Sequence, residues 1–252
     1  MLINGDCTVI QTPLGKTIVI DTGEEDHRIV EYLLDRKIKK IDYIIVSHFD
    51  SDHCAKVEEV IEKLNVKNII ISKQSEESQN YNQIIQTAQK NKVKIIEIKA
   101  GDKIDVEKDL YFYFLWPMND EMIRENGLNN NSIVCRMQYK NFSALFTGDI
   151  EKIAEEKILN EYKKMEFILD TTVLKIAHHG SKTSSTEDFI NTVKTKIALI
   201  GVGRNNKFGH PNEDVLSRLN DLDIRIFRTD QNGEITISVD KNGKISIDSL
   251  IK

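Results

Sequence analysis

The chain has 252 residues, 40% of them hydrophobic and 30% charged, enough for one globular domain with a sizeable core. Its formal net charge of −5 excludes a protein that is basic throughout, so any polyanion must be held by a local patch or by bound metal. Cys7, Cys54 and Cys135 lie far apart in no CxxC spacing, which fits neither a disulfide framework nor a zinc finger and points to a reducing compartment.

In chain order, CTVIQT and KTIVID read as two strands joined by PLGK, a turn that combines a proline-fixed dihedral with a permissive glycine. EEDHRIVEYLLDRK reads as a helix and IDYIIVS as a buried strand. Val57, Val60, Ile61 and Leu64 then fall at helical spacing. VKNIIIS is a strand, residues 79–91 a helix, and VKIIEI and DLYFYFLW are strands. SIVCRMQY and FSALFTGD form an antiparallel pair turning at Lys140-Asn141. Helices near 151–162 and 186–194 alternate with strands TVLKIA and KIALIGVG, and EDVLSRLN is a further helix. GEITISVD and GKISI flank Asn242-Gly243, a strong hairpin signal. Strands at both ends with strand-helix units between them predict an α/β sandwich, two mixed sheets flanked by helices. With no linker, no run of about 20 apolar residues and no signal peptide in MLINGD, the expectation is a single cytoplasmic domain over 1–252 with no membrane partner.

Chemistry concentrates in SHFDSDHCAK. His48, Asp50, Asp52 and His53 sit between a strand end and a helix start, where α/β folds build their sites. A capping turn accounts for one aspartate; four such groups together would repel without a cation. His178 and His179 in HHGS, His210 in GHP and Asp149 in FTGD also follow strand ends, so one rim of the sandwich can gather them. His27 reads as an ordinary residue of a charged helix. Cys54 reads as a small buried helix residue, and Trp116 with its aromatic neighbours as core.

These motifs, NGD with its hairpin, DTG, SHFDSDH, NNNS, FTGD, HHGS and GRNNKFGHP, span nearly the whole chain. In order and spacing they resemble a metallo-β-lactamase-fold hydrolase and, within that superfamily, the soluble hydrolase domain of the ComEC/Rec2 DNA-uptake proteins. The resemblance implies an αββα sandwich. It implies two divalent metal ions held by His48, Asp50, Asp52, His53, Asp149 and one histidine of the HHGS pair, with Asp149 bridging. Either His178 or His179 can fill that place; His179 is preferred, which leaves His178 beside the substrate. Asp21 resembles the aspartate that buttresses a ligand histidine, or is a simple turn residue.

Two departures from the broad superfamily pattern bear on the metal. The usual HxHxDH reads with Asp50 in place of an imidazole, and Asn131-Ser132 stand near the place of a missing third histidine. More oxygens and fewer nitrogens shift the site from zinc towards manganese or magnesium. Both departures occur in the ComEC-like branch, whose membrane channel this chain lacks. The constellation suits metal-assisted phosphodiester hydrolysis, with Asp52, His178 and His210 as catalytic candidates; His210 binds a phosphate oxygen, protonates the leaving oxygen or is a structural loop histidine before Pro211. Asn131 and Ser132 reach metal or substrate, or cap the following strand. Lys175, Lys182, Arg204 and Lys207 supply cations for an anionic substrate, single-stranded nucleic acid above all, or are ordinary surface charge. A phosphocholine esterase- or lactonase-like hydrolase and a non-catalytic metal-binding module are the competing readings.

Overall fold

The computed structural model describes residues 5–73, 78–118, 122–165 and 168–251, so Asn4 of the NGD motif lies outside the described residues. The first strands are β1 (Thr8–Gln11), β2 (Thr17–Ile20), β3 (Lys40–Ile41), β4 (Tyr43–Ile45), β5 (Asn65–Val66), β6 (Asn68–Ser72) and β7 (Lys94–Ile98). The next are β8 (Lys103–Glu107), β9 (Leu110–Trp116), β10 (Val134–Tyr139), β11 (Phe142–Phe146), β12 (Val173–Lys175), β13 (Ile197–Ile200) and β14 (Arg225–Arg228). A closing hairpin pairs β15 (Ile235–Val239) with β16 (Ile245–Ser249).

The period-2 rule separates the side chains of each strand into two cores. In β2, Ile18 and Ile20 face the opposite sheet while Val19 faces helices; in β6, Ile70 faces the sheet and Ile69 and Ile71 the helices. One sheet has the order β1-β2-β4-β6-β7, the other β14-β13-β12-β11-β10-β9-β8, and β3 pairs separately with β5. Helices Ile29–Asp35, Val57–Lys63 and Gln79–Lys90 cover the outside of the first sheet. Lys152–Met165, Glu187–Val193 and Glu213–Asp221 cover the second. Between the sheets lie Ile18, Ile45, Ile70, Phe112, Phe114 and Phe146. This is the expected αββα sandwich.

Several local expectations are corrected. The helix expected over 24–37 is confined to Ile29–Asp35, and His27 sits in the loop before it, against Gly23. Strands β8 and β14 are additions. Both are edges of the seven-stranded sheet, half-exposed and charged, so they carry little hydrophobic periodicity. The Asn242-Gly243 turn is a longer loop than a two-residue hairpin. Asp240 Oδ1 accepts hydrogen bonds from the backbone N–H of Asn242 and Lys244, and Gly243 takes the left-handed conformation at φ +82. Trp116 is fully buried and donates its indole N–H to Asn130 O at 2.7 Å, a core role.

In the first sheet β2, β4, β6 and β7 run parallel; in the second, β11 to β14 do. Asp21 follows β2, His48 follows β4, Asp149 follows β11, His178 and His179 follow β12, and His210 lies on the loop after β13. The C-terminal ends of parallel strands from both sheets thereby supply one rim. No helix among the described residues is long and apolar enough to cross a membrane.

Because Phe114 is fully buried between the sheets, Phe114→Ala is expected to cost about 3–5 kcal/mol. Urea unfolding of the two proteins checks this.

Candidate metal centre

The SHFDSDH segment is pinned from inside. Phe49 is buried in the sheet-helix core with its ring edge-on to Tyr81, and its carbonyl accepts from Asn80 Nδ2 at 2.9 Å. His53 lies in the short helix Ser51–Cys54, beside the loop that follows β2; Thr22 N–H donates to His53 O at 2.7 Å. That contact brings Asp21 under the histidines. Across the seam, Gly148 adopts φ +50, and an added Cβ would meet Ser132 Cβ at 2.7 Å and Ser47 Cβ at 3.1 Å. Only glycine lets the Asp149 turn approach so closely.

Hydrogen bonds then orient the rings. Asp21 is 3% exposed. One of its carboxylate oxygens accepts from Ser47 N–H at 2.7 Å, the other from Ser47 Oγ at 2.7 Å and from His53 Nδ1 at 2.8 Å. With its proton given to Asp21, Ser47 Oγ is left to accept from His48 Nδ1, 3.0 Å away. His179 Nδ1 donates to Gly201 O at 2.7 Å. Each Nδ1 therefore carries the hydrogen in this network, and each Nε2 turns a lone pair towards the rim. His53 Nε2 lies 3.4 Å from His179 Nε2 and 3.1 Å from Asp149 Oδ1. His179 Nε2 lies 3.1 Å from Asp52 Oδ2 and 3.5 Å from Asp149 Oδ2. Ligand-capable atoms of Asp52, His53, Asp149 and His179 fall within 4.8 Å of one another. His48 Nε2 stands beside them, 3.6 Å from Asp50 Oδ2.

This donor set fits a divalent cation. Buried Asp149 Oδ1 and His48 Nε2 make no hydrogen bond, a costly condition for polar atoms that nothing else coordinates. Burial opposes charge on His53, but Asp149 and Asp21 outweigh it and hold its pKa well above the ordinary imidazole value. On His179 burial is likewise overcome, chiefly by Asp149 and Asp6, and the pKa rises to about 9. Burial would raise Asp52, yet the His179 hydrogen bond and the charge of His53 bring it to about 2; Asp149 is driven well below the usual carboxylate range against its own burial, by His53 and His179. The carboxylates thus draw positive charge to the centre, which imidazole protons supply and a bound cation would supply in their place.

Of the HHGS pair, the ring that joins the four-group cluster is His179. His178 has its Nε2 3.9 Å from Asp149 Oδ2 and its Nδ1 3.7 Å from Glu151 Oε1. It lines, with Asp50, Asp52, Asn129 and His210, a cavity of about 200 Å³. Asn206, quoted only as part of a motif in the sequence reading, holds His210 in place: its Oδ1 accepts from His210 N–H at 2.9 Å and its Nδ2 donates to His210 O at 2.6 Å. Burial first, then the charges of His178 and His179, lower the His210 pKa.

Three expected substrate contacts are corrected. Asn131 is fully buried, its amide donating to Ile123 O and Gly127 O and accepting from Ile123 N–H. Ser132 Oγ accepts from Asp149 N–H at 3.2 Å and shapes that turn from below. Lys175 is buried in an ion pair with Asp6 and cannot meet a ligand in the cavity. Lys182, Arg204 and Lys207 are exposed, and Arg204 Nε reaches Asp230 O at 3.3 Å. Cys54 is buried, which pushes its thiol up to about 12 and suits a packing role. Ser47 and Asp6 stand in the SHFDSDH and NGD motifs, but their roles were not read from them; Ser47 was visible as the neighbour of His48. The Asp6 backbone N–H donates to Asp52 O at 3.1 Å, while its side chain pairs with a lysine 169 positions away, a relation with no local signature.

Asp21→Asn is expected to lower metal affinity roughly 10–100-fold with unchanged circular dichroism, because the buttress is lost but the buried shape is kept; competitive chelator titration measures it. Lys175→Met leaves Asp6 buried without its partner and is expected to cost about 3–5 kcal/mol in stability, read from urea unfolding.

Comparison with known proteins places these features. The model of the metallo-beta-lactamase superfamily matches residues 2–204. The chain is 36% identical over 207 residues to ComE operon protein 3 of Bacillus subtilis (strain 168), covering 82% of this chain and 26% of that protein. It is 26% identical over 231 residues to Recombination protein 2 of Haemophilus influenzae, covering 89% and 26% respectively. The chain thus spans about a quarter of the length of these relatives, both ComEC/Rec2-family proteins. Among solved structures, the metallo-beta-lactamase fold protein YhfI from Bacillus subtilis superposes with a TM-score of 0.56 at 10% identity, covering 89% of this chain and 88% of that one. The chain belongs to the metallo-beta-lactamase superfamily of metal-dependent hydrolases, with ComEC/Rec2-family proteins among its relatives.

Proposed function

We propose that the chain is one metal-dependent hydrolase domain that cleaves phosphodiester bonds of single-stranded nucleic acid, DNA in preference to RNA. The observation that carries this reading is the convergence of Asp52, His53, Asp149 and His179 beside an open cavity that three of them line. The ComEC/Rec2-like branch and the exposed cations Lys182, Arg204 and Lys207 support the choice of substrate. Divalent ions would be held by Asp52, His53, Asp149 and His179, with His48 and Asp50 beside them as further donors. Divalent ions bound there supply Lewis acidity and lower the pKa of coordinated water. The oxygen-rich donor set favours manganese over zinc for turnover.

The remaining work falls to side chains. Asp21, through Ser47 and His53, keeps the ligand rings in one tautomer and one orientation. Asp52 serves as ligand and catalytic group. His178 lies beside Asp149 on the substrate side. His210, its pKa lowered, is better suited to hydrogen-bond a phosphate oxygen than to store a proton for the leaving group. Arg204 and Lys207 would hold flanking phosphates equally in ground and transition states.

Purified protein incubated with Mn²⁺, Zn²⁺ or Mg²⁺ and labelled single-stranded DNA, duplex DNA, RNA or a small ester tests the reading. Single-stranded DNA with Mn²⁺ is expected to turn over fastest, and Asp149→Ala to lose both turnover and most bound metal while staying folded. Neutralising Arg204 and Lys207 is expected to raise KM more than it lowers kcat, with strong salt dependence. Intact oligonucleotides beside rapid hydrolysis of a small ester would instead select the esterase or lactonase reading.

A further inference from the structure

Beyond the metal centre, one wall of the cavity is a run of rings. Phe208, at the outer end, is 77% exposed, and its backbone is tied to the loop by an N–H that donates to Asn206 Oδ1 at 3.2 Å. Its ring stacks on His210, with centroids 5.9 Å apart and planes 19° from parallel. His210 in turn meets His178 at 5.8 Å, and His178 Nε2 lies 3.9 Å from Asp149 Oδ2. The run therefore leads from solvent to the cluster along one side of the cavity, which Phe208, His210, His178 and Asp149 all line. Arg204 and Lys207 precede Phe208 in the same loop, are exposed, and have no carboxylate partner among the described residues, although Arg204 Nε reaches Asp230 O at 3.3 Å.

We propose that Phe208 is the platform of a nucleobase subsite, on which the base next to the scissile phosphate stacks while Arg204 and Lys207 on the same loop take neighbouring phosphates. This inference rests on the nuclease reading and deepens it. A planar ring at the mouth of an otherwise polar site, bordered by positive charge, matches the alternation of flat bases and anionic phosphates in a single strand. Duplex DNA, its bases stacked on each other, cannot offer a face to Phe208, so the same residue gives the preference for single strands a physical cause. Stacking is indifferent to base identity, so weak sequence preference accompanies it.

The test compares an oligothymidylate with an abasic oligomer of equal length, which keeps the phosphates and lacks the bases. In manganese-loaded protein, Phe208→Ala is expected to raise KM for the oligothymidylate about tenfold, in keeping with base-aromatic stacking, to leave kcat within about twofold, and not to change KM for the abasic oligomer. Phe208→Trp is expected to restore the low KM, and its added fluorescence to be quenched by the oligothymidylate and not by the abasic oligomer. The quench needs no turnover, which separates the two readings. Quenching without cleavage of either oligomer keeps the stacking subsite and overturns the nuclease assignment. Cleavage with no quench, or with equal effects of Phe208→Ala on both oligomers, overturns the subsite and leaves the nuclease assignment standing.

Discussion

The carboxylate of Asp21 is the constraint from which the centre is assembled. It lies under the rim in a left-handed backbone conformation at φ +56, and it accepts three hydrogen bonds, two from Ser47 and one from His53. A buried carboxylate with its lone pairs so committed makes donors of its neighbours, and the effect passes through Ser47 Oγ to His48. Two imidazoles, one on the loop after β4 and one on the short helix that follows, are thereby turned with their Nε2 atoms outward. The Gly201 carbonyl does the same to His179 from the opposite sheet. Protein hydrogen bonds thus set the direction of three rings before any ligand is considered, and the cluster that results is a consequence of that ordering.

The centre straddles the seam between two sheets. His48, Asp50, Asp52 and His53 come from the first, Asp149, His178 and His179 from the second. Its spacing is set by the aromatic and aliphatic layer between them, and by contacts that cross the seam at the rim itself. Asp6 is one: its N–H holds the Asp52 carbonyl while its carboxylate pairs with Lys175 at the end of β12. Gly148 is another, leaving room for the Asp149 turn between Ser47 and Ser132. Such contacts leave little tolerance for sliding of one sheet over the other, because a densely packed interior shifts in discrete arrangements and not continuously.

Charge is arranged in two shells of opposite sign. Carboxylates crowd the floor of the cavity, and each raises the affinity of the imidazoles for positive charge. Exposed cations stand on the outer loops, at Lys182, Arg204 and Lys207. An acidic protein can in this way attract an anion locally, since exposed charges act mainly within a Debye length of about 8–10 Å at ordinary salt. The net charge of −5 therefore bears on solubility and says little about the rim.

The architecture was legible in the sequence because its signals are local. Continuous apolar runs such as TIVI and NIIIS specify strands buried on both faces, and amphipathic stretches specify the covering helices. The edges β8 and β14 escaped because a half-exposed, charged strand has no such contrast. SHFDSDH declared itself because four ligand-type side chains fall within six positions. What tertiary structure alone decided is how distant segments face each other. Ring orientation brings His179 and not His178 into the cluster. Asn131 and Lys175, polar and near the motifs in sequence, are taken up by backbone partners and by Asp6, while Phe208, quoted within GRNNKFGHP but given no role there, lines the cavity and stays exposed. Residue type and spacing fix which chemistry is possible at a position; only the packed chain settles whether a polar group is already satisfied, and a satisfied group has no remaining bond to offer a substrate.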